Sequence, residues 1–411
     1  MTILHRTRKL TALVPRYTAR FSCVGPACED SCCSGWSVHL DKKTYKAYRQ
    51  QTDTVLGPLM AQNVMREPET AGAKRYGVIR LQGPQQDCSL LEGRLCAVHK
   101  HLDESFLSDV CFSFPRATRL FAGQTEQALT LSCPEAARLA LLAADAFEFT
   151  EAPIAVRDNT VDTIQPQYGL SLDQMNETRI LCLNLMRTED LAIWQRLAIL
   201  GVFCDELTRL IQNGRQAELS ALLERTVATL ENGELLSALD LIRPNYQAQA
   251  MVFATLWAAK GFTTISPMHA AMLDRIAQGL GADQHGQVAA AALVDAYVHG
   301  LARLDEALEL APYLLGNYLL NDMFLNWFPL NGSSPYRNYL QLVARFGLLR
   351  FMLAAQCAAD GALAAPETLV STVQLYCRRF EHDPVFGKEV NQSLEDSGWG
   401  ELDKLFGFLR S

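Results

Sequence analysis

Cysteine is concentrated near the amino terminus of this 411-residue chain, where four thiols fall within the stretch FSCVGPACEDSCCSGW. Four more follow within the first 133 residues, whereas the rest of the chain has four that lie in apolar helical patterns. Thiolates are soft ligands for zinc and for iron–sulfur clusters. The amino-terminal group therefore supplies eight candidate metal ligands: Cys23, Cys28, Cys32, Cys33, Cys88, Cys96, Cys111 and Cys133.

Two kinds of metal centre and one arrangement without metal fit these cysteines. A [4Fe–4S] cluster and a Cys-rich zinc site both take four sulfur ligands, and eight unligated core thiols are the third reading. The chain lacks two separated CxxC knuckles, which favours the cluster over zinc. His99 and His101 flank the region and offer nitrogen ligands. Because consecutive side chains diverge, we expect one of Cys32 and Cys33 to be a ligand and the other to point elsewhere.

A second set of polar residues lies in the segment YLLGNYLLNDMFLNWFPL, residues 313–330. Asn317 and Asn321 are four residues apart, as are Tyr318 and Asp322, so a helix places each pair on one face. The two asparagines could hold the ribose, carboxylate or amide of a ligand. The alternative is a buried helix whose asparagine side chains bond to neighbouring backbone groups.

Two single residues complete the candidate chemistry. His382, in RRFEHDP, is suited to proton transfer or substrate binding near neutral pH; the alternative is a helix end with solvated charges. Arg116, in FSFPRATR, could pair with a cluster sulfur or with a ligand carboxylate. An ordinary surface arginine is the other interpretation.

The elements that must position these residues differ between the two parts of the chain. Residues 1–140 are punctuated by Gly and Pro, with short strand-like stretches GWSVHL and YGVIRL and a helix DKKTYKAYRQ. Residues 141–176 are expected to hold a helix and a linker, the polar stretch 156–176 being the linker. Residues 177–411 show helical periodicity with capping residues such as Ser266 and Gly214. The predicted fold is mainly α, with an irregular Cys-rich module before an all-α domain.

Composition narrows the classes of function. The net charge is −8, so no basic field favours nucleic acid. The basic start of the chain lacks the apolar run of a secretory signal, and no 18 consecutive apolar residues suggest a membrane span. We therefore expect a cytoplasmic protein, where a reducing environment keeps twelve cysteines available for metals or catalysis.

The Cys-rich stretch, together with DCSLLEGRLCAVHKHLDESFLSDVCFSFPR, resembles the head of the flagellin lysine-N-methylases. The segment 313–330 and the stretch QLYCRRFEHDPVF resemble helical elements of that family, so the resemblance covers nearly the whole chain. It implies methylation of surface lysines of flagellin, with S-adenosylmethionine as donor and a [4Fe–4S] cluster bound by the head cysteines. The site residues would then be Tyr318, Asp322 and His382 for catalysis and Asn317, Asn321 and Arg116 for the donor.

Methyl transfer to lysine requires a deprotonated amine and a donor site, and the chain lacks two common sequence motifs for binding such a donor. Lysine has a pKa near ~10.4 and attacks a methyl group only when unprotonated, so the site must desolvate it or supply a base. The chain lacks a glycine-rich Rossmann turn, since GLGAD follows a helix, and it lacks a CxxxCxxC triplet. A metal-bearing flagellar adaptor or chaperone without catalytic activity is the alternative function, and a thiol redox sensor is a third.

Overall fold

The computed structural model describes residues 4–52, 54–68, 72–259, 266–283, 288–359, 361–381, 398 and 400–410. The chain forms two compact units. Unit 1 comprises residues 1–139, 148–164 and 263–270, and unit 2 comprises residues 140–147, 165–262 and 271–411. The described chain is mainly helical, as the sequence predicts.

The largest sheet of unit 1 has five strands in the order β11–β1–β10–β9–β12. Strand β1 is antiparallel to β11, with Leu10 opposite Ile154, and parallel to β10, with Leu13 opposite Glu126. The alternation along β1 places Ala12 and Val14 in the core of this sheet. The strands are β1 (Arg8–Pro15), β9 (Arg116–Phe121), β10 (Gln124–Leu129), β11 (Phe149–Val156) and β12 (Val161–Thr163).

The Cys-rich part of unit 1 is built on short strands and helices. A three-stranded sheet has the order β2–β4–β3, and β5–β6 and β7–β8 form two small hairpins. The expected strands in GWSVHL and YGVIRL are confirmed as β2 and β4. The strands are β2 (Val38–Leu40), β3 (Val64–Arg66), β4 (Gly77–Ile79), β5 (Leu81–Gln82), β6 (Asp87–Cys88), β7 (Leu91–Glu92) and β8 (Leu95–Cys96).

The helices of the first 141 residues are short. Asp41 caps the predicted helix at Lys42–Arg49, because its carboxylate accepts from the Lys43 and Thr44 N–H groups at 2.8 and 3.1 Å. The helices are α1 (Arg16–Arg20), α2 (Lys42–Arg49), α3 (Gly57–Asn63), α4 (Ala97–His101), α5 (Asp109–Ser113) and α6 (Pro134–Leu141).

The structure differs from the expected linker at residues 156–176. Strand β12 and the end of β11 lie there and belong to the sheet of unit 1. Arg157 is buried and donates to the carbonyls of Leu107 and Glu104 at 2.7 and 2.8 Å. These contacts join a stretch that looks polar and aperiodic to residues about fifty positions earlier, which sequence periodicity cannot indicate.

Unit 2 consists of helices, in agreement with the expected all-α region. Gly214 ends its second long helix with φ of +69°, the left-handed conformation that glycine adopts at low cost. The helices from residue 172 onward are α7 (Leu172–Met186), α8 (Ile193–Gln212), α9 (Leu219–Asn232), α10 (Glu234–Asp240), α11 (Tyr246–Ala259), α12 (Pro267–Gly279), α13 (Ala290–Leu308), α14 (Leu314–Leu325), α15 (Pro335–Ala359), α16 (Pro366–Tyr376) and α17 (Leu402–Leu409).

Helix α15 is the central element of unit 2 and packs against α8, α11, α13 and α16. Close approach requires a glycine at Gly347, since a Cβ there would lie 2.0 Å from the Phe253 ring. The helix is long and apolar enough to cross a membrane, but 83% of its most apolar 18-residue stretch is buried inside the protein. Such burial is typical of a core helix.

Candidate functional site

Five thiols of unit 1 lie close enough together to interact electrostatically: Cys32, Cys33, Cys88, Cys96 and Cys111. We call this group the thiol cluster. The hairpins β5–β6 and β7–β8 bring in Cys88 and Cys96, and helix α5 carries Cys111. The Cys88 N–H donates to the Cys33 carbonyl at 2.7 Å, which fixes the loop before β2 against the first hairpin. Long-range pairing therefore assembles residues from four separate positions in the sequence.

Burial of these sulfurs favours the neutral thiol, whereas hydrogen-bond donors next to them favour the thiolate. Burial raises the pKa of Cys88 to about 11 and that of Cys111 to about 12, and neighbouring thiols add to both shifts. Three sulfurs also accept hydrogen bonds that lower the thiol pKa: Cys88 from the Leu90 N–H, Cys96 from the Val98 and His99 N–H groups, and Cys111 from the Ser108 hydroxyl.

This chemistry is suited to metal-bound thiolates. A cation that replaces the thiol protons would offset the burial effect, and N–H donors to sulfur tune iron–sulfur centres. Within the described ranges, no three His, Cys, Asp or Glu side chains lie close enough to hold one metal ion between them. Soft thiolates are ligands of both iron–sulfur clusters and zinc, and a metal at the thiol cluster stays a prediction.

The other three predicted ligands are arranged differently. Burial raises the pKa of Cys133 to about 11, and this thiol interacts with Cys28 and Cys32. The Cys28 thiol donates to the Asp30 carbonyl at 3.3 Å. Cys23 is exposed. Cys32 is therefore the thiol that interacts both with the cluster and with the Cys28 and Cys133 pair.

Arg116 lines a cleft of about 320 Å³ in unit 1. Its guanidinium carbon lies 5.3 Å from the centre of the Phe21 ring, and Glu104 and Gln127 form other parts of the wall. The buried Thr18 hydroxyl in the same wall has no hydrogen-bond partner among the described residues. Pockets of this size accept small ligands. The predicted pairing of Arg116 with a donor carboxylate or a sulfur stays a prediction.

Tyr318 and Asp322, the two predicted catalytic residues that the structure describes, belong to one buried polar group in unit 2. Asp322 accepts two hydrogen bonds from Arg345 of α15, at 2.6 and 2.7 Å. This bidentate pairing holds the planes of both groups in register. Although burial opposes it, the Asp322 carboxylate raises the pKa of Arg345. The Asn326 amide adds a third bond to Asp322 at 3.1 Å.

Helix α16 and the turn after it complete this group. The rings of Tyr318 and Tyr376 meet edge to face at 6.1 Å. Helix α16 continues into a π-helical turn, Cys377–Glu381, in which the Cys377 thiol donates to Glu381 at 3.2 Å. Single π-turns are frequent at functional sites. We call Tyr318, Asp322, Arg345, Tyr376, Cys377 and Glu381 the carboxylate–phenol site.

Sequence reasoning missed Arg345, Tyr376 and Glu381 as site residues. A usable signal was present, because Arg345 lies in a long apolar run and a buried arginine requires a partner. The predicted catalytic residue His382 lies outside the described residues.

The two asparagines of α14 are both buried. The Asn317 amide donates to the carbonyls of Ala140 and Ala143 at 2.9 and 3.0 Å, within unit 2. This arrangement matches the structural alternative in which asparagine satisfies neighbouring backbone groups. Asn321 is 2% exposed. A donor-binding role for either residue stays a prediction.

Comparison with known proteins identifies the relatives of this chain. It is 25% identical to the lysine-N-methylase of Salmonella typhimurium and 24% identical to that of Salmonella choleraesuis, each over 96% of this chain and 98% of the relative. It is also 36% identical to the flagellar biosynthetic protein FliU of Salmonella muenchen, over 31% of this chain and 75% of that protein. No solved structure matches the chain significantly.

The helical part carries the family assignment. Residues 179–408 match the family described as the FliB lysine N-methylase C-terminal domain. This range includes the whole carboxylate–phenol site, from Tyr318 to Glu381. The chain therefore belongs to the FliB lysine N-methylase family.

Proposed function

We propose that this protein methylates surface lysines of flagellin with S-adenosylmethionine as the methyl donor. The observation that carries the proposal is the similarity to lysine-N-methylases over 96% of the chain. The flagellar name of the relative from Salmonella muenchen supports a flagellar substrate. The reaction takes place in the cytoplasm in this proposal, where reducing conditions preserve thiolate ligands.

The carboxylate–phenol site has the residue types that methyl transfer to lysine needs. The lysine ammonium must lose a proton before its nitrogen attacks, and a buried carboxyl group whose pKa is raised can accept that proton as a general base. Aromatic rings beside the carboxylates exclude water and attract a cation through their π faces. Tyr318, Tyr376 and Phe380 provide such rings in unit 2.

The proposal includes a [4Fe–4S] cluster in unit 1, with zinc as the alternative metal. The thiol cluster supplies the ligands, with Cys32, Cys88, Cys96 and Cys111 as the set that we favour and Cys33 as the fifth thiol. Bound there, the group would supply a redox-active centre and cross-links between four loops. The hydrogen-bond donors from Leu90, Val98 and Ser108 would stabilise the ligating sulfurs.

The donor contacts belong to the proposal as well. Arg116 lines its cleft, and the ability of a guanidinium to form two parallel bonds to a carboxylate supports a donor contact there. Asn321 remains a candidate contact in unit 2. Asn317 is the weaker candidate because its amide already bonds to two carbonyls.

A methylation assay with labelled donor tests the function. The protein is purified without oxygen, incubated with flagellin and methyl-labelled S-adenosylmethionine, and the flagellin peptides are mapped by mass spectrometry. We expect labelled mono-, di- or trimethyl-lysine, and no label without the donor. Titration calorimetry with S-adenosylmethionine is run on the same sample. Flagellin that binds but stays unlabelled, with no heat from the donor, would support the adaptor instead.

A further inference from the structure

Three polar atoms of the carboxylate–phenol site are buried without a hydrogen-bond partner among the described residues: the Tyr318 hydroxyl, the Tyr376 hydroxyl and Oε2 of Glu381. Both tyrosines are fully buried. Leaving such atoms unpaired is unfavourable in a folded protein, so each calls for an explanation. Three unsatisfied atoms in one group indicate a polar ligand rather than three independent defects.

The charges around these atoms do not balance when Glu381 is ionised. Arg345 is the one cation of the group and directs its two short hydrogen bonds to Asp322, so two carboxylates face a single guanidinium. Glu381 faces Asp322 and Tyr318 from α14, Arg345 from α15, Tyr376 from α16 and Cys377 from its own turn. Burial raises the pKa of Glu381 to about 7, and the Asp322 carboxylate adds to the rise, although Cys377 and Arg345 oppose it.

A small cleft brings the surface to this group. It has a volume of about 80 Å³, and Arg345 forms part of its wall together with Asn326 and Asn338. The exposed Asn331 marks its outer side. Arg345 thus belongs both to the carboxylate–phenol site and to the wall of a polar opening.

We propose that Tyr318, Tyr376 and Glu381 receive the ammonium group of the acceptor lysine and that Glu381 takes its proton. The inference rests on the proposed function and assigns its acceptor site. An ammonium group has three N–H donors and no acceptor, which matches three acceptor atoms. Its positive charge also balances the ionised Glu381. Among the residues of the carboxylate–phenol site, Arg345 is one cation against two carboxylates, and its two short hydrogen bonds go to Asp322.

Proton transfer to Glu381 comes before attack on the methyl group. One N–H bond of the ammonium breaks, its proton goes to Oε2 of Glu381, and the electron pair stays on nitrogen. That pair attacks the sulfonium methyl carbon of the donor, a C–N bond forms and the C–S bond breaks. The electrons of the broken bond leave on sulfur as a neutral thioether. Glu381 then returns its proton to water.

The pH dependence of Glu381→Gln tests the assignment, with Glu367→Gln, at an exposed residue of α16, as the matched control. Glu381 accepts a proton only when ionised, so kcat/KM of the wild type should rise with pH up to about 7 and then level off. Glu381→Gln should lose about a hundredfold or more in rate and lose that inflection. Glu367→Gln should behave as the wild type, and donor affinity should stay unchanged in both variants.

The two phenols offer a second measurement. Tyr318→Phe and Tyr376→Phe should each raise the KM for a lysine-containing flagellin peptide several-fold, because each removes one hydrogen bond to the ammonium. Tyr339→Phe is the control, since its buried hydroxyl is also unpartnered but faces Tyr336 and Cys204 rather than Glu381. Equal KM changes in all three variants would overturn the assignment. If Glu381→Gln fails to fold, the KM values of these three tyrosine variants still test the acceptor site.

Peptide binding without donor separates this inference from the proposed function. We expect the lysine peptide to bind more tightly than its norleucine counterpart, and Glu381→Gln to remove the difference. If the wild type leaves flagellin unmethylated but shows this difference, the proposed function fails and the acceptor site stands. If the wild type methylates flagellin and Glu381→Gln keeps the wild-type rate and pH profile, the acceptor site is wrong and the function stands.

Discussion

At the scale of single residues, burial decides which ionisable groups of this protein are available for chemistry. Asp322 and Arg345 satisfy each other through two hydrogen bonds in the core of unit 2. Glu381 accepts only a thiol hydrogen bond on one oxygen and keeps the other free among the described residues. A charge that is already paired contributes mainly to structure, whereas an unpaired buried carboxyl can exchange a proton near neutral pH.

The adjacent cysteines give a prediction at the same scale. Cys32 interacts with the other four thiols of the thiol cluster and also with Cys28 and Cys133. Cys33 packs against the same apolar core as Cys96 and Cys111 and interacts with three thiols of the cluster, Cys32, Cys96 and Cys111. We expect Cys32→Ser to abolish cluster absorbance and flagellin methylation together, and Cys33→Ser to leave part of both.

The cluster content of the anaerobically purified variants is measured by absorbance and by iron analysis. The exposed Cys23 provides the control, since Cys23→Ser should keep full iron content. If Cys32→Ser and Cys33→Ser both retained full iron and full activity, a cluster at this stretch of sequence would have to be abandoned.

At the scale of elements, helix α14 has polar residues on two neighbouring faces, and the two faces contact different elements. Asn317 donates to two carbonyls at the end of helix α6, that of Ala140 in its last turn and that of Ala143 just after it. Tyr318 and Asp322, one position further round the helix, turn toward α15 and α16. The spacing of four residues predicts that members of a pair share a face, but the neighbouring elements decide what each face contacts.

The Asn317 contacts predict a stability effect. Asn317→Ala should lower the free energy of unfolding by about 1–3 kcal/mol, because two hydrogen bonds of roughly 0.5–1.5 kcal/mol each are lost and two carbonyls stay buried. Thermal unfolding measures this, with Asn331→Ala at an exposed position as the control. A variant that melts like the wild type but binds S-adenosylmethionine several-fold more weakly would assign Asn317 to the donor site.

At the scale of the whole molecule, unit 1 is assembled from three separate parts of the chain. The segment 148–164 supplies two strands of its largest sheet. The segment 263–270 supplies His269, which is fully buried with Nε2 3.2 Å from Oδ2 of Asp30. Much of the remaining Cys-rich part consists of loops and two-residue strands, whose own stability is low.

Metal removal should therefore act on one unit. If the thiol cluster binds metal, its ligands tie residue 32 to residue 111 and supply part of the folding energy of the Cys-rich part. We expect chelation or oxidation to raise amide hydrogen exchange and proteolysis in residues 21–113, while helices α7 to α16 stay protected. Equal loss of protection in both units would contradict this coupling.

The sequence alone determined the features that depend on neighbouring residues. Caps and periodicity predicted helices α8, α12, α13 and α15, and the stretch DKKTYKAYRQ predicted α2, because these signals act within one or two turns. The density of thiols identified the Cys-rich region, and its motifs identified the family. Tyr318 and Asp322 were chosen for residue type and spacing, and both lie in the carboxylate–phenol site.

Only the tertiary structure decided which distant residues meet. Strand β11 pairs with β1 across more than 130 residues, and no local pattern encodes that register. Arg345, Tyr376 and Glu381 join Tyr318 because four elements of unit 2 pack around one polar group. Burial then sets the proton affinity of Glu381, which a sequence lists as an ordinary acid. Desolvation and charge pairing depend on three-dimensional neighbours, so they become visible only in the folded chain.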